Sequence, residues 1–106
     1  MHGLEKHIEL LRELQLELMN EARKPSLDIE TQRTLTKEAQ KIKDELDLME
    51  DAGKNVVEIK VYAYEMYNSV PAGLEKITQA NGNRELNDLI EKTCDELEKL
   101  WYFVNK

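Results

Sequence analysis

Residues 46–70 read LDLMEDAGKNVVEIKVYAYEMYNSV, and the architecture turns on whether the chain stops or continues at Gly53. Just upstream, Leu35, Ala39, Ile42, Leu46 and Met49 recur four and three residues apart, the spacing of one helix face. Were that helix to run on, its seam would pass through Gly53, Val56, Lys60, Ala63, Tyr67 and Val70. Residues 28–70 would then form one arm of a long helical hairpin. Gly53 and Lys60 are poor core residues, so a break is the better solution. Glycine supplies the left-handed residue that closes a helix C-terminus. Asn55 then caps a new helix, with Glu58 three residues on to complete a capping box.

The segment after the break, residues 56–70, is the most apolar in the chain. As a helix, its only clearly polar side holds Glu58, Glu65 and Asn68. Such a helix is expected to be buried on several sides. The alternation Val57-Glu58-Ile59-Lys60-Val61 also fits a strand, but no second strand-like segment exists to pair with it.

Working outward, Leu4, Ile8, Leu11, Leu14, Leu18 and Ala22 form a helical stripe that His7, Leu10 and Met19 widen, and Pro25 ends that helix. Glu5, Glu9, Glu13, Glu17 and Glu21 repeat every fourth residue, a mildly repulsive ladder that Lys6 and Arg12 are positioned to relieve. Ser26 or Asp28 can cap the second helix. Only Pro25 and Ser26 need separate the two, and short connections make antiparallel neighbours. Residues 71–82 read as a connection with about two helical turns, turning Leu74 and Ile77 inward. Asn81-Gly82 stops it and Asn83 can cap the last helix. There Leu86, Leu89, Ile90, Cys94, Leu97, Leu100, Trp101 and Val104 share a face, with Asp88, Glu91, Asp95 and Glu98 mostly opposite. The expectation is all-α: a small bundle of three to four antiparallel helices, about 3–24, 28–52, 55–70 and 83–104, in a single domain spanning 1–106.

The 106 residues suffice for one core, and 41% apolar content argues against a disordered chain. Net charge is −7 and no Lys/Arg cluster could neutralise several phosphates, so direct binding of nucleic acid or an anionic membrane is not expected. A single cysteine, Cys94, forms no intramolecular disulfide and no cysteine zinc site. No apolar run is long enough to span a membrane, and the stretch Met1–Lys6 lacks a signal-peptide layout, which points to the cytoplasm.

Motifs for chemistry are missing. His2 and His7 are five apart and no H-x-x-x-H or E-x-x-H pair occurs, so no metal is expected. All-helical nucleotide pyrophosphohydrolases hold magnesium with an E-x-x-E pair plus a distant E-x-x-D pair. This chain has no E-x-x-E, and its one E-x-x-D, Glu85 to Asp88, sits in a first helical turn where acids are favoured anyway. Asp44, Asp47 and Asp51 read as a solvated face. Cys94 lies in an apolar stripe beside Asp95 and Glu96, which suits packing rather than reactivity. Neither a nucleophile elbow nor a phosphate-binding glycine loop is present. No enzymatic activity and no cofactor are expected.

The aromatics are the suggestive feature. Tyr62, Tyr64 and Tyr67 crowd one helix, and Trp101, Tyr102 and Phe103 close the last. Tyr62 and Tyr64 are about 200° apart on a helix and cannot enter one core together. Trp and Tyr anchor interfaces, although tyrosines also lie with the ring inside and the hydroxyl in water. Tyr62, Tyr64, Tyr67, Trp101 and Tyr102 are therefore the candidate partner-binding residues of a protein-binding adaptor, chaperone-like partner or inhibitor, expected to be a homo-oligomer. Two rivals remain. One is a viral inhibitor of a host defence enzyme, whose acids stand in for phosphates. The other is a small-ligand (nucleotide) binder or hydrolase with a pocket between helices.

Overall fold

A computed structural model describes residues 3–106 as four helices: α1 Leu4–Ala22, α2 Ile29–Asp51, α3 Val56–Ala80 and α4 Arg84–Val104. Each packs against its neighbour in the chain, and α4 returns to α1, closing a ring of antiparallel helices. The bundle measures 42 × 21 × 19 Å.

The predicted stripes are the core. Leu4, Ile8, Leu11, Leu14, Leu18 and Ala22 of α1 are buried, as are all five seam residues of α2. From α4, Leu86, Ile90, Leu97, Leu100 and Val104 are enclosed, while Leu89, Cys94 and Trp101 are half-buried at its margin.

Three helices start on side-chain caps. The side chains of Asp28, Asn55 and Asn83 accept the backbone N–H of Thr31 at 2.8 Å, Glu58 at 3.2 Å and Leu86 at 3.1 Å. The break at Gly53 is present: its φ is 62° and its N–H donates to the Glu50 carbonyl at 3.2 Å. The capping box at Asn55 is only half formed, because the Asn55 N–H donates to the Ala52 carbonyl instead. The first connection is longer than two residues; α1 ends at Ala22 and α2 begins at Ile29.

The third helix departs most from expectation. It does not end at residue 70 but runs through Pro71 to Ala80. An interior proline removes one backbone hydrogen bond and costs about 3 kcal/mol. Leu74 at 0% exposure and Ile77 at 3% continue the buried row beyond it. Burying two such side chains contributes roughly 1.5–3 kcal/mol each, so packing outweighs the proline. Nor is α3 buried on several sides. Ile59, Ala63, Met66 and Val70 face the core, while Val57 and Val61 remain 73% and 51% exposed.

Arg12 does not relieve the α1 glutamate ladder. Its Nη2 reaches across to α2, 2.8 Å from Asp47 and 2.9 Å from Glu50. Asp47, also paired with Lys43 at 3.0 Å, is thus part of an inter-helix bridge rather than a simply solvated acid.

Candidate interaction surface

Helical spacing places Val57, Val61, Tyr64, Asn68 and, because the helix survives Pro71, Glu75 in one outward row on α3. The C-terminal turns of α4 lie alongside. Trp101 fits between two tyrosines of α3: its ring stacks on Tyr67 at 5.6 Å between centroids, planes 8° apart, and meets Tyr64 at 5.5 Å with a 56° tilt. Such offset aromatic pairs are favourable and geometrically specific. Tyr64 is 46% and Tyr102 58% exposed. The nearby Tyr102 phenol, with smaller contributions from desolvation and Glu98, holds the Tyr67 hydroxyl above its usual pKa.

Four of the five candidate residues therefore converge: Tyr64, Tyr67, Trp101 and Tyr102. Tyr62 does not join them. It lies about 200° around α3 from Tyr64 and packs half-buried against the core. Phe103 points the other way, its ring 4.7 Å from that of His7 on α1. The aromatic excess is thus divided between two helix interfaces, and the α3–α4 one carries the exposed tyrosines Tyr64 and Tyr102.

Beyond the aromatics the same interface opens into a groove lined by Glu75, Glu91, Cys94, Asp95 and Glu98, with Ile90 at its floor. Desolvation first, then the charges of Glu75, Asp95 and Glu91, pushes the Cys94 thiol up to about 11. A thiol so placed is a packing group, not a nucleophile at neutral pH. Sequence reasoning missed this groove. The α4 acids are visible in the sequence, but Glu75 lies in the stretch 71–82 that reads as a connection; the α3 spacing carried past Pro71 is the signal that finds it.

Other candidates do not assemble. Among the described residues no group of three or more His, Cys, Asp or Glu side chains is placed to hold a metal ion. His2 lies outside the described residues, as does Met1, and His7 is occupied with Phe103. The buried polar side chains Gln15, Glu38 and Thr93 sit on three different helices, and the Thr93 hydroxyl is satisfied by the Leu89 carbonyl at 2.8 Å. No described helix is long and apolar enough to cross a membrane. Comparison with known proteins gives no match: no family model, no curated protein and no solved structure resembles this chain.

Proposed function

We propose that this chain acts by binding another protein through the outer face of α3 and the C-terminal turns of α4, as an adaptor, chaperone-like partner or inhibitor rather than an enzyme. One observation carries this reading. The bundle closes its own core, yet Val57, Val61, Tyr64 and Tyr102 remain exposed, the first three in one row along α3 and the last on the adjoining turns of α4. Exposed apolar surface gathered in one place is a common mark of an interaction site, and Tyr and Trp supply the anchoring area that such sites use.

Self-association is the other way to cover this face. It would bring Glu58, Glu65 and Glu98, which border the face, toward their copies in a chain of net charge −7. A different protein of opposite charge is the better-matched occupant.

The test compares partners captured from native extract by the wild-type chain and by Tyr64→Ala/Tyr102→Ala. Tyr64 is 46% and Tyr102 58% exposed, and circular dichroism checks that the variant keeps its helicity. A protein retained only by the wild type supports the proposal. Identical captured sets from the two chains would overturn it. Sedimentation of the wild type across concentrations reads self-association directly.

A further inference from the structure

The aromatic face and the acidic groove are one continuous surface, with Glu98 at the junction: it neighbours Tyr67 at one end and lines the groove at the other. The groove itself is an open channel of about 400 Å³. Four carboxylates line it, those of Glu75, Glu91, Asp95 and Glu98, and no Lys or Arg does. None of the four belongs to an ion pair among the described residues. Unneutralised charge of one sign along a cleft with low-dielectric walls focuses the potential within it. From Tyr64 to Glu75 is eleven residues along α3, or about 16 Å, which matches roughly three turns of a ligand helix.

We propose that the α3–α4 groove docks a cationic amphipathic helix of a partner protein. An apolar side chain of that helix seats on Tyr64, Trp101 and Tyr102, and its Lys or Arg side chains lie against Glu98, Glu75, Asp95 and Glu91. A fifth helix laid along the groove between two antiparallel helices repeats the packing that builds the bundle. A guanidinium has a further attraction, since Trp and Tyr faces favour cations. This assignment rests on the protein-binding role proposed above and adds the sign and shape of the partner.

Trp101 is the sole tryptophan and stands in the face, so its emission reports docking without a label. The probe is a synthetic Leu/Lys amphipathic helix of about fifteen residues, compared with the same peptide carrying Glu for Lys. The Lys peptide should move Trp101 emission saturably to the blue, while the Glu peptide should not. Its affinity should fall about tenfold or more between roughly 0.05 and 0.5 M salt. Glu75→Gln/Glu91→Gln/Asp95→Asn/Glu98→Gln should weaken binding at least about tenfold, with unchanged helicity by circular dichroism. Neutralising Glu5, Glu9, Glu13 and Glu17 on α1 in the same way should leave it unaltered.

Equal weakening by the α1 set would reduce the effect to bulk attraction and overturn the assignment. Equal binding of both peptides, abolished by Tyr64→Ala, would remove the charge requirement while leaving the protein-binding role standing. A blue shift on concentrating the protein alone would give the face to a second copy instead. If neither peptide moves the emission, the groove is not a helix-docking site, and the capture comparison decides the broader role by itself.

Discussion

At Gly73 a carboxylate lies where a side chain would otherwise be: a β-carbon there would fall 2.6 Å from Cδ of Glu38. Glu38 is 6% exposed and its Oε2 has no hydrogen-bond partner among the described residues. Burial raises its pKa, and Lys37 and Lys41 of α2 with Lys76 of α3 offset this only in part. A carboxyl whose pKa is raised by folding is at no disadvantage below its unfolded pKa. Stability then falls as pH climbs from the ordinary glutamate value through the folded one. Glu38→Gln should flatten that part of the pH profile of urea midpoints and stabilise the protein at neutral pH by about 1 kcal/mol. Asp28 and Asp47, shifted downward by their partners, act in the opposite sense, so the quantity to measure is the difference between variant and wild type. Gly73→Ala should crowd the flexible Glu38 side chain outward and remove the same slope. If the double variant flattens the profile no further than either single one, the two residues share one cause. Cys94 gives a second residue-scale expectation. With its pKa near 11, iodoacetamide should label it at neutral pH about a hundredfold more slowly than an ordinary thiol, and Glu75→Gln/Asp95→Asn should speed that labelling.

Among the elements, α3 holds two opposite lessons about proline and glycine. Pro71 stands inside it without ending it, and Gly53 just before it ends α2. Pro71→Ala restores a backbone donor and should raise the unfolding free energy by about 1–3 kcal/mol in urea titrations. Gly53→Ala must hold a left-handed conformation at φ 62° and should lower it by about 1 kcal/mol. The caps were legible because Asp28, Asn55 and Asn83 act within three residues of themselves. The fate of Pro71 was not, because local chemistry there favours a stop. Only the core positions waiting for Leu74 and Ile77 tip the balance the other way.

Over the whole molecule, core and surface should separate cleanly by mutation. Val57→Ser and Val61→Ser sit on the exposed row and should change stability by less than about 0.5 kcal/mol. Met66→Ala, at 0% exposure one helix face away, should cost about 2–5 kcal/mol. Chemical denaturation of the three variants checks both. A large loss from the valines would mean that the row supports the fold rather than a partner. The candidate surface was only half legible at this scale. The aromatic surplus could be counted, but the partners of each ring could not, and Tyr62 went to a different side from the other tyrosines.

Repeat spacing, caps and the glycine at residue 53 sufficed to specify an all-helical bundle, most of its core and, to within two residues, the bounds of three of its four helices. Those features act along one helix, over contacts of a turn or less, so they are written in order along the chain. Closure of α4 onto α1, the passage of α3 through Pro71, the diversion of Arg12 to Asp47 and Glu50, and the meeting of Trp101 with Tyr64 and Tyr67 were decided only in three dimensions. Each depends on groups from different helices competing for the same space or charge, and the energies that settle such competition exist only once the helices have packed.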